Sequence, residues 1–234
     1  MEEFKISAKN LGQVGLEDFC PRCYWIKLKM SNKLPWQIFP GIFSSIDAYT
    51  KKAVHQIIDS GKDLPPWLTE MGPITTYRKT PHWSKFKREY PEFGITISGG
   101  MDDIFELEKP EFVIPDYKTA KYTANQDKLL PMYRIQLNAY KEIAEVSGFG
   151  KVSGLFLVYF EPFTDTAEGM TQGYGFDMAF KAKTVPVPID SYEIHAALMK
   201  TREIYDYPIY PPGLEGCKDC AALDTIFTAL YPES

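Results

Sequence analysis

No stretch of the 234-residue chain is apolar for long enough to span a bilayer. Its start, where Glu2, Glu3 and Lys5 stand in a mixed segment, lacks the basic, apolar and small-residue pattern of a secretory leader. The expectation is a soluble, intracellular (cytoplasmic) protein with no membrane partner. Basic charge is short as well, with 26 Lys and Arg against 31 Asp and Glu and a formal charge of -5. A generally basic nucleic-acid coat protein is thereby excluded, and any DNA or RNA contact has to be local. Histidine is scarce, with three residues, and cysteine nearly so, with four. Neither an internal repeat nor a low-complexity tail is present, which sets solenoids and linker arrays aside.

What the chain does have is 44% hydrophobic and 15% aromatic residues, enough for one substantial core. A single domain over residues 1–234 follows, with residues 1–40 and 208–234 expected to form a cysteine lobe. The four cysteines make two Cys-x-x-Cys pairs, Cys20/Cys23 and Cys217/Cys220, with none left over. Without a leader, that pairing favours a metal site over disulfides. A site joining both ends would staple the fold, because thiolate-metal bonds restrict the unfolded ensemble. Four thiolates suit either a [4Fe-4S] cluster or tetrahedral Zn2+, and free reduced thiols are a third reading.

The richest chemistry lies between Ser98 and Ala120. Alternation carries Phe93, Ile95 and Ile97 on the approach. Met101, Ile104, Phe105 and Leu107 suggest a first strand and Phe112, Val113 and Ile114 a second, with the break at Glu108, Lys109 and Pro110. Strand parity places Asp116 and Lys118 on the side of Phe112 and Ile114. Charges at the end of so apolar a strand are costly to bury unaided, and a divalent cation held by one carboxylate from each strand would remove the objection. Beside it a lysine can orient a water or stabilise charge on phosphoryl oxygens. A surface hairpin with solvated charges is the plain alternative.

Three motifs in order sharpen the choice: Gly99-Gly-Met-Asp102, then Asp116-Tyr-Lys118-Thr, then Gln136-Leu-Asn-Ala-Tyr140. In order and spacing they resemble the RecB-like branch of the PD-(D/E)XK nuclease superfamily. The resemblance implies an α/β fold with a restriction-endonuclease-like core, a mixed central sheet flanked by helices, whose N- and C-terminal segments are joined by the four-cysteine site. It also implies a Mg2+- or Mn2+-dependent deoxyribonuclease, an exonuclease on single-stranded or end-frayed DNA. By position, Asp102, Asp116, Lys118, Gln136 and Tyr140 take the catalytic places, with Asp47, Asp102, Asp116 and Tyr117 around the metal. Asp103 is the rival for the first acid, since the double glycine allows a slip of one residue. Asp47 stands where the family commonly has a histidine, and His55 is the alternative. Cys20-Pro-Arg-Cys23 followed by an aromatic, basic stretch is similar to iron-sulfur RecB-like nucleases, which include CRISPR-adaptation exonucleases. That likeness favours the cluster over zinc, although the commoner family pattern is one early and three late cysteines. Rivals of other kinds are a catalytically silent nucleic-acid-binding or scaffold module and a subunit active only with a helicase or integrase partner.

Along the rest of the chain, Asn32 to Gly41 reads as an aromatic-anchored loop. A helix capped by Ser44 or Ser45 runs to about Ser60, with Ile46, Tyr49, Ala53, Val54, Ile57 and Ile58 on its apolar face. The most basic stretch, Tyr77 to Arg88, interleaves Lys85, Lys87 and Arg88 with aromatics, either as a strand-tracking groove or as a solvated face. Met132 to Val146 reads as a helix, Val152 to Phe160 as a buried strand, and Tyr174 to Pro186, with Phe176, Met178 and Phe180, as another. Helices over Ile189 to Tyr205 and Ala221 to Leu230 complete the chain.

Overall fold

Short alternating segments near the start and middle of the chain form strands, and these strands sort into two sheets. The computed structural model describes residues 2–31, 40–123, 128–164 and 178–231. Strand β1 (Phe4–Ser7) ends at Ser7, whose hydroxyl accepts the Asn10 N–H and so caps α1 (Ala8–Gly12). Helix α2 (Pro21–Lys29) begins with proline, which has no N–H to leave orphaned there. Next come α3 (Gly41–Asp59), the single turn α4 (Pro66–Thr69), β2 (Ile74–Tyr77), β3 (Lys87–Tyr90), β4 (Ile95–Ser98), β5 (Phe105–Leu107) and β6 (Phe112–Lys118). The chain continues through α5 (Leu130–Val146), β7 (Val152–Pro162), β8 (Phe180–Val187), α6 (Ser191–Asp206) and α7 (Lys218–Leu230).

One sheet has the order β1-β4-β3 and the other β2-β5-β6-β7-β8. Both are mixed: β1 runs parallel to β4 and β6 parallel to β7, and the other pairs are antiparallel. A parallel pair needs a crossover, which α5 supplies between β6 and β7. The protein is therefore a mixed α/β fold with helices flanking two sheets. Parity along β6 divides the core. Phe112 and Ile114 pack with Leu137, Tyr140 and Ile143 of α5, whereas Val113 joins Val54, Leu68, Phe105 and Val158 on the opposite face. Asp116 and Lys118 thus lie on the α5 side, as strand parity predicts. The amino-terminal segment is part of the main core through Ile6, Leu11, Val14, Tyr24 and Leu28.

Several expectations need correction. Ile95 and Ile97 belong to β4 in the smaller sheet, so the approach strand does not extend the hairpin, and Met101 precedes β5 in an irregular link. Helix α3 starts at Gly41 after Pro40, and the Ser45 hydroxyl donates back to the Gly41 carbonyl instead of capping. Tyr49 is 66% exposed, and Thr50 with Val54 marks the buried side of that helix. Met178 is exposed ahead of β8, which begins at Phe180. Phe176 and most of the Asn32 to Gly41 loop lie outside the described residues. Lys85, Lys87 and Arg88 sit at and just before β3, not on a helix. Lys87 pairs with Glu89 at 2.8 Å, and Arg88 turns inward to Glu142 of α5 at 2.9 Å.

Candidate active site and four-cysteine centre

The end of β6 carries Asp116 to the face covered by α5, where two residues one helical turn apart meet it. Gln136 Nε2 donates to Asp116 Oδ1 at 3.2 Å and to the Tyr140 hydroxyl at 3.1 Å. Lys118 follows on the same face, in ion-pair contact with Asp116 and 4.3 Å from the centre of the Tyr133 ring. Burial alone would lower the Lys118 pKa, but Asp116 outweighs it and holds the ammonium above its usual value. Asp116 Oδ2 takes no directional hydrogen bond beyond that ion pair, and Gln136 Oε1 is buried without a partner among the described residues.

The second acid arrives from the link between β4 and β5. Asp102 Oδ2 accepts the Tyr117 backbone N–H at 2.8 Å, which ties this link to the end of β6. Burial, and then the neighbouring charge of Asp116, push the Asp102 carboxyl up to about 6. The two acids therefore share one electrostatic site. Asp103 goes the other way, buried on the opposite side of the strand. Its carboxylate meets His55 Nε2 at 2.7 Å and the Tyr117 hydroxyl at 2.8 Å. His55 in turn stacks on Tyr77, with ring centres 3.7 Å apart.

Helix α3 presents a stripe at four-residue spacing: Asp47, Lys51 and His55. The middle member was not singled out by any motif. Lys51 Nζ stands 3.0 Å from Asp47 Oδ2 and 3.0 Å from Asp102 Oδ1, so Asp47 is linked to the site through this ammonium. The signal for it in the sequence was the i,i+4 pair with Asp47, which is also an ordinary helix-surface feature. Of the residues expected around a metal, Asp102 and Asp116 come together with Lys118, Gln136 and Tyr140. The Tyr117 phenol does not join them, because it is committed to Asp103 and is held protonated by burial and by that carboxylate. Among Lys85, Lys87 and Arg88, the last two are engaged with glutamates as described above.

Both Cys-x-x-Cys pairs sit on helix starts. Cys20 is the residue before the first turn of α2 and Cys217 the residue before the first turn of α7, so Cys23 and Cys220 follow within each first turn. The four Sγ atoms all lie within 4.8 Å of one another, and no disulfide joins them. Four thiols so placed can hold a metal. Cys20 Sγ accepts the Leu214 N–H at 3.3 Å. Burial raises the Cys20 pKa, but backbone N–H groups of Cys23 and Leu214 more than offset it, leaving the thiol lowered to about 7. Burial pushes Cys220 up to about 11 and Cys23 higher still. A cleft of about 900 Å³ lies beside the centre, bordered by Leu16, Phe19, Leu223 and Ile226.

No helix among the described residues is long and apolar enough to cross a membrane. No family model matches the chain, and no curated protein does. A solved structure described as "Crystal structure of SSO0001" is similar over 89% of this chain and 80% of that one, at 16% identity and a TM-score of 0.40. Likeness at that level carries neither fold nor activity across.

Proposed function

We propose that the chain is a divalent-metal-dependent nuclease of the RecB-like kind, hydrolysing phosphodiester bonds in DNA. The observation that carries this reading is the meeting of Asp102 and Asp116, on separate segments, beside Lys118, Gln136 and Tyr140. Burying two like charges together raises the free energy of the metal-free fold, and such a cost is retained where function needs it. The carboxylates of Asp102 and Asp116 are hard oxygen donors, as Mg2+ or Mn2+ prefers. When bound there, the cation would lower the pKa of an attacking water and neutralise phosphoryl charge.

The chain's own groups then divide the work. Asp102 and Asp116 would hold the cation. Gln136 fixes the rotation of the Asp116 carboxylate and keeps the Tyr140 hydroxyl within hydrogen-bonding reach. Lys118, charged and largely buried, supplies positive potential and N–H donors to the phosphate, and its raised pKa makes it a poor proton acceptor. Tyr140, also held protonated by burial and by Asp116, accepts from Gln136 and keeps its own proton to donate, so it is not a base. The preference for DNA, and for single-stranded or frayed ends, rests on the motif resemblance. So does any helicase or integrase partner.

A second reading, a silent nucleic-acid-binding module, draws on Lys51 and Lys118. Their ammonium groups already answer both acids without a metal. Cleavage assays on end-labelled single- and double-stranded DNA with Mn2+ decide between them. The nuclease reading expects cleavage that Lys118→Ala and Asp116→Asn each reduce at least a hundredfold with the melting transition kept. Undiminished cleavage by Lys118→Ala overturns the assignment, and Mn2+ binding without cleavage by the wild type selects the module.

A further inference from the structure

The spacing of the four thiols says what kind of centre they fit. A single ion bound tetrahedrally at about 2.3 Å from each sulfur requires the sulfurs to lie about 3.8 Å apart. A [4Fe-4S] cluster gives each thiolate its own iron at the corner of a larger body, so the ligand sulfurs have to stand roughly 6 Å apart. Here Cys20 Sγ and Cys220 Sγ are 3.5 Å apart, Cys23 Sγ and Cys220 Sγ 3.5 Å, and Cys23 Sγ and Cys217 Sγ 3.7 Å. None of the six separations exceeds 4.8 Å. The cluster expected from the family resemblance does not fit this arrangement.

Packing around the sulfurs points the same way. A Cβ built on Gly213 would stand 2.9 Å from Cys220 Sγ, so the backbone leading into α7 is already against that sulfur. Leu214 N–H holds Cys20 Sγ at 3.3 Å from the same short segment. Moving the sulfurs outward to admit four irons and four sulfides would drive Cys220 into this backbone or part α2 from α7. Arg22, in the first turn of α2, clamps those two helices through Asp224 of α7, with Nη1 to Oδ2 at 3.1 Å and Nη2 to Oδ1 at 2.6 Å.

We propose that Cys20, Cys23, Cys217 and Cys220 form a mononuclear tetrahedral centre that takes Zn2+. Among the described residues the four cysteine sulfurs gather with no histidine or carboxylate in their group, which fits a closed, structural type of site. Zinc outranks ferrous iron for such a donor set in the general order of affinities. No electron-transfer role is assigned, because zinc has no accessible redox change. This inference is independent of the nuclease reading, and its test does not use cleavage.

The full chain, produced in medium supplied with both iron and zinc and purified anaerobically, is analysed for metal and acid-labile sulfide. The expected result is about one zinc per chain, no sulfide and no visible colour. Exchange with Co2+ should then give the intense visible bands of tetrahedral cobalt thiolate at one equivalent, and Cys217→Ser should shift or bleach them. About four irons with matching sulfide per chain would overturn the proposal. One iron without sulfide would overturn the zinc assignment, and cobalt bands unchanged in Cys217→Ser would overturn the ligand set.

Discussion

A Cβ built on Gly99 would lie 2.4 Å from Cε1 of Tyr140 and 2.8 Å from its Cδ1. The first glycine of the Gly-Gly-Met-Asp motif is thus a seat for the aromatic ring whose hydroxyl Gln136 holds. Tyr140 is 5% exposed and has little freedom to move aside. Gly99→Ala should therefore cost roughly 1–3 kcal/mol of stability by overpacking. It should also lower DNA cleavage at least tenfold by displacing the ring. Tyr140→Phe keeps the ring and loses the hydroxyl, so its stability should change by about 1 kcal/mol or less. Urea melts and initial cleavage rates on both variants separate packing from hydrogen bonding. A fully active Gly99→Ala protein would remove the ring from the site.

Lys51 is the neutraliser of Asp102 in the metal-free state, bridging to Asp47 on its own helix. A divalent cation has to compete with that ammonium for Asp102 Oδ1. Lys51→Ala should therefore tighten Mn2+ binding several-fold in calorimetric titration while destabilising the metal-free protein by on the order of 1 kcal/mol. Weaker Mn2+ binding in the variant would mean that Lys51 supports the site instead of competing for it.

The elements with long, periodic signals were legible in the sequence, and those set by sheet membership were not. Helix α5 spans Leu130–Val146 close to its expected bounds; ten of its residues are buried, including every one from Ile135 to Tyr140, so it is a long helix covered on more than one face. The placing of Asp116 and Lys118 followed from a parity of two along β6. Strand β4, by contrast, looks like a continuation toward β5, since local alternation cannot say which sheet a strand joins. The start of α3 was misplaced because serines at helix starts are usual caps, and here Pro40 makes the turn without one. Lys51 stayed hidden for a different reason. Its partner Asp102 is 51 positions away, a contact that only the folded chain creates.

Acid should stabilise the metal-free protein over a limited range. Asp102 holds its proton up to about pH 6 in the fold, against about 4 in an unfolded chain. Between those values the folded form binds the extra proton, so stability falls as pH rises through the window and the full penalty applies above it. Asp102→Asn removes the charge and keeps an oxygen for the Tyr117 N–H. It should gain on the order of 1 kcal/mol near neutral pH and nothing below pH 4, while abolishing cleavage. Chemical melts in Mg2+-free buffer at the two pH values test this. No gain at neutral pH would show that Asp102 carries no burial penalty.

A metal held at the cysteine centre would join residues 200 positions apart, Cys20 and Cys220, and so close nearly the whole chain into one loop. Its removal by a strong chelator, with thiols kept reduced, should lower the melting temperature by about 5–10 °C. Cys23→Ser should show the same loss and no further response to chelator. Arg22→Ala leaves the thiols in place and should cost less, because its partner Asp224 is more than half exposed. Protons give an independent check. Without metal, Cys23 and Cys220 hold theirs well above neutral pH, whereas Cys20 is already partly ionised near 7. Binding must displace at least the first two, so the apparent zinc affinity should drop by at least about a hundredfold for each unit of acidification near neutrality. An affinity that does not change with pH would mean that the metal is held by something other than these thiolates.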